Sequence, residues 1–537
     1  MEKQESTKKH LIKASGMMGI MTLASRVLGM IRDIVSAKAF GTTWQWDAFV
    51  FAFMMPNFLR RVVAEGSLTS AFIPIYSELL EKENQERAFR FGNLIMTLMG
   101  VVILGFILVL QIVFQILLTL KVLPPHLHFT VDLLRFMFPY LWFICMYAIG
   151  MGILNCHRRF FASSIGPVIL DLLWICGVIW LVPRAGGLPQ DQLRVLSWAI
   201  VFSGVLQVAA EIPSLRRIGF HYHWVWDLKD EAIRKAWKLV LPSMMTFGIV
   251  QVNLFVDQLL GLTIGSGANS SLWYGSRLMQ FPLGVFGIAM GTALLPTISR
   301  QIAAGKKEEA RNSISFAMRS IFLIIIPCTV GMMVMSRPII QLLFQRGEFN
   351  AASTSRTASV LICYCIGLFA YAGQKIILAG FYASQDTRTP VKIGLLDVLI
   401  NFTLNITLMQ FMRESGLALA TSIAAIIEFF LLIHFYEKKI DPFPHQEVWK
   451  SFGRITLASL VMGVVCAVLY SVLGMIWPSL HLRDQLLRTG VTISFAAFAY
   501  VGFCFLFRVR EIGEAWAWIR KNRNKETRSK KQEGDCS

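Results

Sequence analysis

Charged side chains interrupt several long apolar runs of this chain. They are Arg26, Arg32 and Asp33 in the first run, Arg60 and Arg61 in the second, and Arg277 in a later one. An ionised group inside a hydrocarbon layer is costly and is retained mainly where it has a function. A guanidinium donates paired hydrogen bonds to phosphate oxygens and stays charged, so these residues predict a cationic site for a phosphate-bearing ligand such as a diphosphate.

A structural interpretation of the same residues stays open. Asp47 and Glu65 lie in the second run, and each arginine could pair with Asp33, Asp47 or Glu65 and fix helix packing. For the whole set this is the weaker interpretation, because structural pairs would balance the charges and the arginines outnumber these acids. We therefore assign Asp47 and Glu65 a supporting role. Arg60 and Arg61 point in different directions on a helix, so one of them can be structural.

A second polar cluster lies in later apolar segments. It comprises Asp257, Asn401, Asn405 and Thr421. Asn401 and Asn405 are four residues apart and share one helix face. Oxygen ligands from several helices could hold Na⁺, or Asp257 could carry H⁺, as a coupling ion. Hydrogen bonding between helices explains these residues at least as well.

The composition identifies a membrane protein. Of 537 residues, 55% are hydrophobic and only 16% are charged, and the net charge is +19. A soluble domain carries about a quarter charged residues. Lysine and arginine cluster in loops, which suits an anionic lipid surface, and no motif of nucleic-acid binding is present. We therefore expect membrane lipids and no nucleic acid among the partners.

The apolar residues form fourteen segments, each long enough to cross about 30 Å of hydrocarbon as a helix. The segments are residues 12–40, 47–81, 89–120, 128–156, 161–182, 192–212, 234–263, 270–302, 309–345, 352–383, 390–411, 416–437, 449–476 and 487–508. The basic clusters fall in alternate connections and at both chain ends, so the positive-inside rule places both termini in the cytoplasm. This pattern requires an even number of helices, and it predicts an all-α polytopic membrane protein with fourteen transmembrane helices.

The chain also repeats itself. SAFIPIYS around Pro74 resembles TALLPTIS around Pro296, and FASSIGPV around Pro167 resembles YASQDTRTPV around Pro390, at almost the same separation along the chain. Each repeat holds six helices, so both run through the membrane in the same direction. We predict an N-lobe at residues 1–225, a C-lobe at 226–440, two extra helices at 441–508 and a basic cytoplasmic tail at 509–537.

No motif of a hydrolase or a kinase is present. The sequence has no phosphate-binding glycine loop followed by Lys and Ser or Thr, no nucleophile elbow and no zinc signature. The cysteines lie mostly inside apolar runs without metal-ligand spacing, so we expect them to be free and inert. We therefore expect this chain to be a transporter without a hydrolytic motif of its own, and not an enzyme.

Several of these motifs resemble the MurJ (MviN) family. They are ASRVLG and Arg32-Asp33 in the first helix, DAF, PNFLRR and AEG in the second, RLM around Arg277, and GFYASQDTRTPVK further on. The resemblance runs from the first helix through about the twelfth. Met54 stands where some relatives carry Lys, and Ser276 and Gln280 stand where some carry acids, which leaves Arg277 without an adjacent acid.

The resemblance implies a lipid II flippase of the bacterial inner membrane, in the superfamily of multidrug and polysaccharide-lipid exporters. It implies alternating access, with two lobes rocking about a cationic cavity whose essential arginines map to Arg26, Arg32, Arg60 and Arg277. The last two helices would form a groove for the polyprenyl tail. Lipid II is then the substrate, other cell-wall synthesis proteins are candidate partners, and a monomer is the expected functional form.

Three alternatives stay open. Export of another polyprenyl-diphosphate glycan would use the same cationic cavity. A drug exporter would need an acidic cavity, and a non-transporting scaffold would be expected to lose its cavity charges; this sequence has neither property.

Overall fold

The computed structural model describes residues 21, 24–65, 71–120, 122–159, 161, 164–478 and 481–513. The described part of the chain is almost entirely helical and contains no β-strand. This confirms the prediction of an all-α fold. The chain divides into two compact units, residues 1–270 with 344–353, and residues 271–343 with 354–537. The four segments predicted from the repeat, with boundaries after residues 225, 440 and 508, stay predictions.

The first unit begins with a helix at residues 24–40, here α1. It is followed by α2 (Trp44–Arg60), α3 (Ile73–Lys82), α4 (Gln85–Leu120), α5 (Pro125–Met137), α6 (Pro139–Cys156), α7 (Gly166–Cys176), α8 (Pro189–Arg217) and α9 (Glu231–Ile264). The next helix is α10 (Ala268–Pro282), and the boundary between the units falls inside it, after Ser270.

The second unit holds most of the remaining helices. They are α11 (Ile288–Ala303), α12 (Lys307–Val334), α13 (Ser336–Phe344), α14 (Ala351–Ile366), α15 (Leu368–Ala383), α16 (Arg388–Lys439), α17 (His445–Ile476) and α18 (Leu482–Leu506). The helix α16 breaks at Arg413, whose φ of 52° is not helical, and this break lies between the segments predicted at residues 390–411 and 416–437.

Nine helices in the described ranges have the length and apolar composition to cross a membrane. This confirms a multi-pass membrane protein, but not the number fourteen, which stays a prediction. The nine include α16, whose two halves are each long enough to cross. Several other predicted segments are divided into shorter helices, because turns of π-helix or prolines interrupt them.

Two turns of π-helix mark the repeat in three dimensions. One follows α2 at Arg61–Glu65, and the other follows α10 at Leu283–Gly287. These two turns are separated by the same length of chain as Pro74 and Pro296. A π turn inserts one extra residue into a helix and is common at functional sites. The same irregularity at the same separation supports the parallel repeat that was predicted from the two prolines.

An aromatic cluster holds α2 against α7 in the first unit. Trp46 is 1% exposed and stacks on Phe40 and Phe49, with ring centroids 4.9 Å apart in both pairs. Trp174 of α7 meets the rings of Phe49 and Phe53 edge-on. Aromatic pairs in these geometries stabilise a core beyond their buried area. The cluster therefore also fixes the orientation of the α7 face that carries Asp171, an acid described below.

Two glycines allow close backbone contact between the α1–α2 connection and the segment after α13. Gly41 has φ +58° and Gly347 has φ +57°, values that side chains of L-residues rarely adopt. A Cβ at Gly347 would lie 2.3 Å from the carbonyl oxygen of Lys38, and the N–H of Glu348 donates to that oxygen at 3.1 Å. The fold therefore requires glycine at position 347, because the backbone has a positive φ and because no space is left for a Cβ.

The second unit packs around α12. Phe322 of α12 meets Phe369 of α15, Phe429 of α16 and Phe452 of α17 edge-on. The cysteines in the described ranges are free, as predicted, and five of the eight are buried. Their being inert stays a prediction.

Candidate functional site

Arg32 is held in a buried ion-pair network. The residue is 4% exposed, and its guanidinium donates to Asp33 Oδ1 at 2.9 and 3.1 Å and to Asp171 Oδ1 at 2.8 Å. The guanidinium carbon also lies 4.7 Å from the centre of the Trp174 ring. Two carboxylates and an aromatic face replace the water that the cation loses, as a buried charge requires. In this conformation Arg32 ties α1 to α7.

One face of α1 is turned toward Asp171. Ser25 Oγ donates to Asp171 Oδ2 at 3.5 Å, and Gly29 and Arg32 follow at helical spacing on the same face. Arg26 is the next residue round the helix. It is half-buried and forms no ion pair with the residues that the structure describes. Arg26 and Arg32 therefore occupy different electrostatic environments on one helix.

Arg60 and Arg61 also differ from each other. Arg60 ends α2 and is half-buried, whereas Arg61 is exposed and donates to Gln251 Oε1 of α9 at 3.4 Å. Arg32 and Arg60 therefore both lie at least partly buried in the first unit, whereas Arg61 lies at that unit's surface.

Asp47 caps the start of α10. It is 4% exposed, and its carboxylate accepts from the N–H of Ser270 at 2.7 Å, from the Ser270 hydroxyl and from the N–H of Gly267. A carboxylate at a helix start satisfies backbone donors that have no partner in the helix. This contact positions a helix rather than a ligand. The side chain of Glu65 lies outside the described residues.

Arg277 belongs to the second unit. It is half-buried in α10, and its guanidinium carbon lies 4.4 Å from the centre of the Trp273 ring, one turn earlier. Stacking on an indole holds a guanidinium in place while its N–H groups stay directed outward.

The second polar cluster forms hydrogen bonds between the two halves of α16. Asn405 Nδ2 donates to Asn401 Oδ1 at 2.8 Å, and Asn401 Nδ2 donates to Thr421 Oγ1 at 3.4 Å. Both asparagines are fully buried. This is the hydrogen-bonding interpretation that the sequence left open. Asp257 is buried in α9, which belongs to the first unit, and the described residues hold no group of three or more His, Cys, Asp or Glu fit for a metal ion.

Sequence reasoning missed Asp171. It lies in the apolar stretch VILDLLW and is 4% exposed. An acid inside an apolar helix is the signal that could have found it, and Asp397 and Glu428 carry the same signal. Glu428 accepts a hydrogen bond from Gln374 Nε2 at 2.8 Å, which fixes α16 against α15.

This chain is similar to known proteins in its sequence and in its fold. Residues 36–483 match the family model described as lipid II flippase MurJ. A probable lipid II flippase MurJ of Vibrio cholerae is 32% identical over 516 residues, which cover 94% of this chain and 97% of that protein. A lipid II flippase MurJ of Burkholderia cenocepacia is 28% identical, with 84% and 90% covered.

Solved structures give the same result. A structure described as lipid II flippase MurJ in an inward closed conformation superposes with a TM-score of 0.74 at 26% identity, covering 91% of this chain and 98% of the other. An inward-facing multidrug transporter of the MATE family superposes with a TM-score of 0.63 at 14% identity, covering 78% and 96%, and shows likeness of fold alone.

Proposed function

This chain belongs to the lipid II flippase MurJ family, and we propose that arginines of α1, α2 and α10 recognise the diphosphate of the lipid that it transports. Its function is that of a lipid II flippase, which moves the undecaprenyl-diphosphate-linked peptidoglycan precursor from the cytoplasmic to the periplasmic leaflet. The similarity covers 94% of this chain and 97% of the Vibrio cholerae relative, so the function applies to the chain as a whole and not to one segment of it.

The single observation that supports the site most directly is the environment of Arg26. A half-buried cation in a membrane helix that lacks an ion pair within the described residues is available to an incoming anion. Binding a diphosphate at such a residue costs no broken salt bridge. Arg60 and Arg277 would add charge from α2 and α10 as the lobes alternate.

Arg32 takes a positioning role in the conformation described here. Its two carboxylate partners already satisfy most of its donors. A direct contact between Arg32 and the diphosphate would require Asp33 or Asp171 to release it, so the substrate contact predicted from sequence stays a prediction. The exchange of such partners between two conformations is a known basis for a switch.

The remaining proposals concern how the protein works in the cell. It acts as a monomer in the bacterial inner membrane. Both of its termini lie in the cytoplasm, a topology that the basic connections favour. An ion gradient drives it, with Asp257 as the group that carries Na⁺ or H⁺, because a buried carboxylate in a transporter helix is suited to that task.

A complementation experiment tests the function. We expect this gene to restore growth when a bacterium is depleted of its own lipid II flippase. The comparison strain lacks a flippase for a different polyprenyl-diphosphate glycan, and there we expect no rescue. Rescue of the second strain alone would contradict lipid II as the substrate.

A further inference from the structure

A polar cavity of about 170 Å³ lies inside the second unit, and none of the arginines discussed above lines it. It forms where α12 and the first turns of α17 meet the residues that follow α18. Four basic and two acidic side chains line it, so its formal charge is positive. The basic connections place this end of α17 on the cytoplasmic side of the predicted topology.

The two acids of the cavity already have partners. Glu511 accepts from Arg319 Nη1 at 2.9 Å, and Glu447 accepts from Ser315 Oγ at 3.0 Å. Lys450 and Arg510 are exposed at the mouth and form no ion pair with the described residues. The positive charge that remains uncompensated therefore faces the open side of the cavity.

Three residues that line this cavity each carry a buried polar atom that lacks a hydrogen-bond partner among the residues that the structure describes. They are Arg319 Nε, Ser451 Oγ and Glu511 Oε2. Glu511 is 4% exposed and Ser451 is 8% exposed. Buried polar groups in proteins are nearly always hydrogen-bonded, to water or a ligand where the protein supplies no partner. A ligand that reaches these atoms would offer an acceptor to Arg319 and a donor to Glu511.

Apolar surface suited to lipid chains continues from the mouth of the cavity. Leu457 and Leu460 follow Arg454 by one to two turns on α17 and are 49% and 53% exposed. Leu506, at the end of α18, is 70% exposed. Exposed apolar side chains on membrane helices contact acyl chains, so a ligand of this cavity can keep its tails in the bilayer.

We propose that this cavity binds the phosphodiester headgroup of an anionic membrane lipid that also carries a hydroxyl group. The phosphate accepts from Arg319, Lys450 and Arg510, and the hydroxyl donates to Glu511 Oε2. The volume equals five to six times the ~30 Å³ that one water molecule occupies in the liquid, which is enough for a phosphate with a short hydroxylated arm. This site is separate from the flipping cycle and does not depend on the function proposed above.

Native mass spectrometry of the full-length protein tests the proposal. Dissociation constants are measured for phosphatidylglycerol, for phosphatidylethanolamine and for phosphatidylmethanol, which has the phosphodiester but no hydroxyl. We expect phosphatidylglycerol to bind most tightly. The double variant Lys450→Gln/Arg510→Gln should weaken the binding of phosphatidylglycerol at least about tenfold. Two basic residues near an anionic headgroup together contribute at least the free energy that a tenfold change in the dissociation constant represents.

The control variant Lys307→Gln/Lys438→Gln removes the same charge from exposed positions of the same unit and should leave the binding unchanged. An equal loss in the control would reveal general surface attraction and overturn the site. Equal binding of phosphatidylmethanol and phosphatidylglycerol would overturn the role of Glu511. Soluble glycerol phosphate that binds as tightly as phosphatidylglycerol would overturn the assignment to a lipid.

Discussion

Arg26 and Arg32, six residues apart on α1, have opposite surroundings. Arg32 is 4% exposed between Asp33 and Asp171, whereas Arg26 is half-buried without an ion pair in the described part of the chain. Removing each of them should therefore have a different consequence. We expect Arg32 to contribute mainly to folding in this conformation, and we expect Arg26 to contribute mainly to binding, as proposed above.

For Arg26→Ala we expect normal expression and thermal stability but loss of lipid II transport of tenfold or more in proteoliposomes. Loss of one charge-assisted contact to phosphate costs about 1.5–3 kcal/mol, which corresponds to this factor. Arg26→Lys should recover part of the activity, because it restores the charge but not the paired donors. Arg217→Ala, which removes an exposed arginine of α8, is the matched control. Wild-type transport by Arg26→Ala would exclude this residue from the site.

For Arg32→Ala we expect a loss of stability of about 3–5 kcal/mol, because it leaves Asp33 and Asp171 buried without their cation. Thermal unfolding of the purified protein measures this. The double variant Arg32→Gln/Asp171→Asn should be more stable than Arg32→Ala, since it leaves fewer unpaired charges. An Arg32→Ala protein as stable as the wild type would show that the ion pairs contribute nothing to folding.

The candidate residues could be predicted from the sequence where the residue type or the spacing between residues was enough to identify them. An arginine in an apolar run stands out by itself, as does the spacing of four between Asn401 and Asn405. The partner of Arg32 did not stand out, because Asp171 is distant in the sequence and only tertiary packing brings the two together. The distinction between Arg60 and Arg61 was predictable as a difference in direction, but which of the two side chains is the more buried one depends on tertiary packing.

At the scale of elements, the break in α16 and the repeat were visible in the sequence, and the close contact at Gly347 was not. The break follows from the polar sequence RES between two apolar runs, and the π turns follow a repeat that two proline motifs already indicated. A glycine in a connection shows only that the backbone is permissive. The approach of Lys38 to Gly347 depends on two connections that lie far apart in the sequence.

Gly347→Ala should therefore lower the stability by at least about 2 kcal/mol more than Gly305→Ala does. Both positions have positive φ, at +57° and +73°, so both substitutions strain the backbone. A Cβ at Gly347 also clashes with the backbone of Lys38, whereas a Cβ at Gly305 meets open space. Thermal unfolding of the two variants checks this difference. Equal unfolding temperatures would mean that the connection shifts freely and does not constrain the first unit.

At the scale of the whole molecule, apolar length and loop charge predict a multi-pass helical protein. They also predict fourteen crossings, a number that stays a prediction because π turns and prolines divide several of the spans in the described residues. The family membership then supplies the substrate class, which no single residue could identify.

Ion coupling is a property of the whole transport cycle. If Asp257 carries the coupling ion, Asp257→Asn should transport lipid II more slowly and should no longer respond to an imposed Na⁺ or H⁺ gradient. Glu86→Gln, an exposed acid at the start of α4, serves as the control. A gradient response in Asp257→Asn equal to that of the wild type would assign the coupling to another group.

The most direct measurement is the amount of lipid II accessible at the periplasmic face of cells depleted of their own flippase. An added enzyme that cleaves lipid II from outside reports it. With this protein present we predict that accessible lipid II returns to the level of undepleted cells, and that Arg26→Ala leaves it at the depleted level while Arg217→Ala restores it. No rise with the wild-type protein, at normal abundance in the membrane, would contradict the lipid II flippase function, and a full rise with Arg26→Ala would contradict the arginine site.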